Sequence, residues 1–173
     1  ASTDSLTGLD NRRQFMQVTQ QALRSNDTEE PLSLIMFDLD NLKWINDNFG
    51  HQSGDWVLCE VSKNLTARLA ERTVSCARVG GEEFVLCLAG TDVNEALAYC
   101  HEIQSWLAGI DTKTKLDGLQ LSASFGVCDS NQVGKQLDTL LSGADFAMYK
   151  AKKAGRHQVV KYPMEQGSKE EAI

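Results

Sequence analysis

The stretch CARVGGEEFVLCLAG, residues 76–90, places two apolar and β-branched runs on either side of Gly80-Gly81, with Glu82 and Glu83 opening the second run. Gly-Gly between such runs reads as a short hairpin, because both residues accept positive φ without a Cβ penalty. The glycines alone satisfy that turn. Two acids at the start of the returning strand, where propensity disfavours Glu, ask for a chemical reason.

Outward from the hairpin, helix and strand periods alternate, which favours an α/β or α+β sheet over a helical bundle. Asp10 or Asn11 can cap a helix running to about Ser25, and the polar NDTEEP ends it before the strand LSLIMFDLD. A short helix, NLKWINDNF, stops at Gly50. After GHQSGD comes a longer helix with Val57, Val61 and Leu65 on one stripe. Past the hairpin the reading is a helix from Val93 to Leu107, a surface loop DTKTKLDG, a strand LQLSASFGVC, a helix LDTLLSGADFAMYKAKKAG and a last strand HQVVKY. The polar tail MEQGSKEEAI is expected to be disordered.

The 173 residues, 42% of them hydrophobic, suffice for one ordinary α/β core. The longest apolar runs are strand length and no basic-then-apolar leader opens the sequence, so the piece is expected to be soluble and cytoplasmic, without direct membrane contact. Five cysteines lie in apolar runs without zinc-like spacing and read as reduced core residues. A net charge of −7 argues against nucleic acid as the partner. A small anion neutralised by a metal stays open.

FDLDNLKWIND falls where a continuous apolar strand ends, the end of an α/β sheet at which ligands gather. Asp38 and Asp40 are taken to leave opposite faces, Asp38 as a metal ligand and Asp40 as a helix cap or N-terminal anion. Taken alone, the pair reads better as caps on the next helix. If this strand and the hairpin are neighbours, Asp38 and one of the two glutamates converge on a divalent ion. Two carboxylates with phosphate oxygens and water suit Mg²⁺, hence a nucleoside triphosphate. Lys43, on the first turn of the short helix, can neutralise a phosphate, and Lys152 and Arg156 form a second basic pair; either reading competes with simple solvation. Asn46 and Asp55 flank a Gly-bounded turn, where a carboxylate accepting from N1–H and N2–H₂ would select guanine, although Asn and Asp are also default turn residues. His51 between them reads first as a structural hydrogen-bonding residue.

DSLTGLDNRRQF, FDLDNLKWINDNFGHQSGDWVL, ARVGGEEF, SASFGV and ADFAMYKAKKAGRH resemble, in order and spacing, the successive signatures of the GGDEF domain, the bacterial diguanylate cyclase, over nearly all of residues 4–162. The resemblance implies a ferredoxin-like α/β domain spanning residues 1–162, its mostly antiparallel sheet wrapped by helices, akin to the palm of nucleotide cyclases and polymerases. It implies a homodimer in which two GTP molecules condense to cyclic di-GMP and two pyrophosphates. It assigns Mg²⁺, two ions per site with Mn²⁺ able to replace it, to Asp38, Glu82 and the carbonyl of Leu39. Glu82 becomes the general base with Glu83 the accompanying acid, and Lys43 the transition-state contact. Asn46 and Asp55, with His51 beside them, hold the guanine, Lys152 and Arg156 the triphosphate tail, and Gly80 and Gly81 the close nucleotide approach.

Many members carry an Arg-x-x-Asp product-inhibition site nine and six residues before the first signature glycine. Here those positions are Glu71 and Val74, so the primary site is expected to be absent. The chain is expected to be the output domain of a longer protein with an upstream sensor or dimerisation module, and membrane tethering of that parent stays open. The alternative is a catalytically silent GTP-binding or protein-interaction domain.

Overall fold

The computed structural model describes residues 1–25 and 29–163. Its centre is a five-stranded sheet in the order β2-β3-β1-β4-β5. Strand β1 (Leu32–Leu39) is buried along its whole length, as a continuous apolar run covered on both faces must be. It pairs antiparallel with β3 (Glu83–Ala89) and with β4 (Ala123–Asp129), while β2 (Thr73–Arg78) closes the hairpin onto β3. Only β5 (Gln158–Lys161) runs parallel to its neighbour, β4.

Alternation along β1 sends Ile35, Phe37 and Leu39 into one core with α2 (Leu42–Phe49), α3 (His51–Ala67) and α4 (Val93–Ala108). Leu32, Leu34 and Met36 enter a second core with α1 (Arg12–Ser25) and α7 (Leu137–Lys153). The result is the mixed α/β sheet flanked by helices that the sequence led us to expect. Asn11 is the residue that caps α1, its side chain accepting from the Gln14 N–H at 2.9 Å.

Several boundaries differ from expectation. Helix α3 begins at His51, because Gly50 alone, at φ 93°, ends α2 and opens α3. His51 and Asp55 therefore lie on helix, and GHQSGD is not a turn. The DTKTKLDG segment is more than a surface loop: a single turn, α5 (Lys113–Leu116), buries Leu116 completely. A second added turn, α6 (Ser130–Val133), has its own capping box from Asp129. Gly80 and Gly81 are not among the residues at positive φ, and the hairpin closes through Val79 N–H donating to Glu83 O at 2.9 Å. The expected disordered segment 164–173 lies outside the described residues.

Candidate functional site at the carboxyl end of β1

The register pairs Asp38 directly with Glu83, and the Leu39 N–H donates to the Glu82 carbonyl at 3.1 Å. By strand parity Asp38 faces the α1–α7 side, and Glu83 is the acid sharing that face. Glu83 lines a cavity of about 290 Å³ with Arg12, Met36 and Asp145. Glu82, one residue before the strand, instead lines a cavity of about 470 Å³ with Lys43, Trp44, Asp47 and Arg156. Asp38 is only 7% exposed; one carboxylate oxygen is ion-paired with Lys152, and the other, Oδ1, is buried without a hydrogen-bond partner among the described residues.

This crowding of carboxylates shows in their acidities. Burial, then the nearby Asp38 charge, pushes Glu82 above the usual carboxylate value, against the opposing pull of Lys152 and Arg156. Burial likewise raises Glu83, helped by Asp38 and Asp145 and opposed by Lys152 and Arg12. A cation placed here relieves both.

Asp40 has a different task from the expected helix cap. Residues two apart on a strand share a face, so opposite faces cannot separate Asp38 from Asp40; hydrogen bonding does. The Asp40 carboxylate accepts from the Ser122 and Ser124 hydroxyls at 2.6 and 2.7 Å and from the His157 N–H at 3.1 Å. The residue at the start of α2 is Asn41, at φ 65° and without a side-chain cap bond. Asp40 thereby holds the segment after α7, where Gly155, Arg156 and His157 all have positive φ. Two non-glycine residues in that conformation persist only where the surroundings over-determine them.

Across α2, Lys43 is exposed and ion-paired with Asp47 at 3.1 Å. Asn46 points to α3, where a Cβ on Gly54 would stand 1.8 Å from its Oδ1, so only glycine admits the amide there. That Oδ1 is a second buried acceptor without a partner. Asp55, next to Gly54, is exposed. His51 is exposed on the first turn of α3, and no side-chain hydrogen bond among the described residues supports the structural role expected for it.

Sequence reasoning assigned no role to Arg78, Phe84 or Gly54. Arg78 donates to both Asp4 carboxylate oxygens at 3.1 Å and to the Gly81 carbonyl at 3.0 Å, bracing the hairpin turn against the N-terminal segment. Burial alone would raise the Asp4 carboxyl, but bonds from Thr7 and Arg78 outweigh it and hold it below the usual range. Phe84 stacks on Phe37 at 5.0 Å, and Phe37 packs on Phe125 at 4.9 Å, a fully buried aromatic row across three strands directly behind Asp38 and Glu83. The fifth signature residue is a core anchor. An aromatic aligned one position from each acid was the available signal.

The structure thus groups Asp38, Glu82, Glu83, Lys152 and Arg156 at one strand end, with Lys43 on the same cavity as Glu82, while the Asn46 amide lies over Gly54 and Asp55 is exposed beside that glycine on α3. Among the described residues no three His, Cys, Asp or Glu side chains are arranged to hold a metal ion. Although Glu83 is the acid on Asp38's own face, Glu82 is close enough to Asp38 for the two charges to interact, and that pair suits an ion that draws its other donors from phosphate and water, which the unpartnered Asp38 Oδ1 fits.

The family model described as "Diguanylate cyclase, GGDEF domain" matches residues 1–158. A diguanylate cyclase of Vibrio cholerae is 36% identical over 163 residues, covering 94% of this chain and 50% of that protein. The chain therefore spans about half the length of that relative, and 38% of the Escherichia coli diguanylate cyclase DgcM. Among solved structures, diguanylate cyclase SiaD of Pseudomonas aeruginosa, in complex with its activator SiaC, superposes with a TM-score of 0.84 at 32% identity, covering 93% of this chain and 62% of that one. The active GGEEF domain of a Vibrio cholerae diguanylate cyclase gives 0.82 at 32% identity, over 91% and 99% of the two chains. With the five-stranded sheet and the acids of its signature hairpin in place, the chain belongs to the GGDEF-domain family of diguanylate cyclases.

Proposed function

We propose that residues 1–162 form a diguanylate cyclase domain that condenses two GTP molecules into cyclic di-GMP and two pyrophosphates. The observation that carries this reading is the Asp38 carboxylate, buried with one oxygen unpartnered beside Glu82. Leaving such an acceptor unsatisfied costs about 1–3 kcal/mol, a cost that a bound cation removes.

Asp38, Glu82 and the Leu39 carbonyl would hold Mg²⁺, two ions per site, with Mn²⁺ able to replace it. When bound, Mg²⁺ bridges phosphate oxygens, disperses developing charge and lowers the pKa of the attacking hydroxyl. Asp55 accepts from the guanine N1–H and N2–H₂, and the Asn46 amide reads the same base, with His51 beside them. Lys152 and Arg156 take the triphosphate tail. Lys43 faces the α-phosphate as charge builds there, and Glu82 accepts the 3′-hydroxyl proton, assisted by Glu83. A Cβ on Gly81 would meet nothing within 4 Å, so the fold does not require glycine there; approach of the nucleotide to the backbone gives the reason.

Each domain holds one GTP, and the 3′-hydroxyl of each attacks the α-phosphate of the other, so turnover belongs to a homodimer. An upstream module would set that encounter, as the greater length of the relatives suggests. With Glu71 and Val74 at the inhibitory positions, tight product binding at that site is not expected.

The test is GTP turnover with Mg²⁺ at high protein concentration, with products separated by chromatography, for the chain and for Glu82→Ala. Cyclic di-GMP that disappears in the variant, with specific activity falling on dilution, is the expected result. GTP binding without product even in a forced dimer would make this a silent receptor domain.

A further inference from the structure

Trp44 is half exposed, at 50%, on the first turn of α2. Its ring neighbour is Phe49, edge-on at 6.0 Å and 64°, which leaves the indole without a stacked partner among the described residues. An exposed indole on the wall of a cavity is a contact surface in waiting, because its face is apolar and its N–H is a donor. Here the wall is that of the 470 Å³ cavity shared with Lys43, Glu82 and Arg156.

Residues 44 and 46 lie two apart, about 200° around a helix axis. Asn46 turns into the α2–α3 groove over Gly54, so Trp44 faces the other way. A guanine read by Asn46 and Asp55 does not reach the indole. The Trp44 side of the cavity is open to a different group.

We propose that Trp44 seats the ribose of the opposing protomer's nucleotide, the sugar that carries the attacking 3′-hydroxyl. This inference rests on the two-GTP reading above. That reading already requires the second sugar to enter beside Glu82 and Lys43, and Trp44 walls the same space. The indole face packs against the C–H face of the sugar, and the positioning acts on the reaction rather than on the nucleotide held by the same domain. Displacing a reacting group by about 1 Å costs on the order of a hundredfold in rate, which sets the scale.

The experiment compares the wild type with Trp44→Ala, Trp44→Gln and Trp44→Phe by three readouts. These are turnover of GTP with Mg²⁺, calorimetric binding of a non-hydrolysable GTP analogue at dilute, monomeric concentration, and dimerisation by sedimentation without nucleotide. The expected pattern is turnover lowered about tenfold to a hundredfold in Ala and Gln and largely restored in Phe, with analogue binding and nucleotide-free dimerisation unchanged. Turnover within twofold of wild type overturns the proposal. Weakened dimerisation without nucleotide would mean that Trp44 touches protein, and weakened monomer binding that it touches its own domain's nucleotide; either also overturns it. Should the wild type not turn over GTP, the cyclase reading fails first. Trp44 is then read by its fluorescence: a quench by the analogue at dimer-forming concentrations that Trp44→Phe removes supports the contact, and its absence refutes it.

Discussion

Under the proposed role of Asn46 as a base reader, Gly54→Ala separates folding from nucleotide recognition at one atom. The new Cβ would lie 1.8 Å from Asn46 Oδ1 and 2.8 Å from its Cγ, so the amide must withdraw by about 1.6 Å to reach an ordinary 3.4 Å contact. The obstacle is the tip of a rotatable side chain, and moving it costs about 0.5–1.5 kcal/mol at most. Alanine inside a helix regains about 1 kcal/mol over glycine. Stability should therefore change by less than about 1 kcal/mol in urea denaturation, since gain and cost nearly cancel. Recognition has no such compensation. An amide displaced by that distance forfeits its one or two hydrogen bonds to the base, about 1–3 kcal/mol together, or roughly fivefold to a hundredfold in affinity. Calorimetry with a non-hydrolysable GTP analogue measures it. Wild-type affinity in a folded Gly54→Ala protein would refute the placement of Asn46 as a base reader, and a stability loss well above 2 kcal/mol would show that the amide is not free to move.

Lys152→Met leaves the buried Asp38 carboxylate without its ion-pair partner and should cost about 1–3 kcal/mol in metal-free buffer. Mg²⁺ should then raise Tm more in the variant than in the wild type, and equal shifts would place the ion elsewhere. Because burial, with the nearby Asp38 charge, makes Glu82 and Glu83 weaker acids in the fold than the ordinary carboxyl near 4.5, their contribution to stability is full below that ordinary value and is lost as pH rises through the raised folded values. Glu83→Gln should match the wild type in acid and exceed it in urea stability above that window, while wild-type Mg²⁺ affinity climbs across it. A variant that is less stable on the alkaline side contradicts this. Phe84→Ala should lose about 3–5 kcal/mol in urea denaturation, and a loss under about 1 kcal/mol would show that the aromatic row does not anchor the strand ends.

The order of helices and strands was legible because the apolar periods are clean: the fully buried β1 reads as an unbroken run, and the hairpin announces itself by its glycines. The proximity of Asp38 to the signature acids followed once β1 and the hairpin were set side by side. What could not be read depends on distance along the chain or on a single backbone angle. Asp40 looks like a helix cap because its partners are residues 122, 124 and 157, and nothing local to FDLD reports them. GHQSGD has turn chemistry, yet Gly50 absorbs the whole change of direction and the remaining residues are helical. DTKTKLDG looks solvated because seven polar or small residues hide the one leucine that is buried.

The three bonds of Asp40 bridge sequence separations of 82, 84 and 117 residues. A chain synthesised from its amino terminus can complete its first hairpin long before the Arg156 segment exists, since local contacts form early and distant ones late. The cationic half of the candidate site, Lys152 and Arg156, is consequently delivered well after the acids Asp38, Glu82 and Glu83, and a partly made polypeptide carries those acids without the Lys152 that pairs with Asp38. An amino-terminal fragment that stops before residue 152 would therefore expose the acids of the strand end uncompensated, an assembly order set by the sequence positions of the two halves.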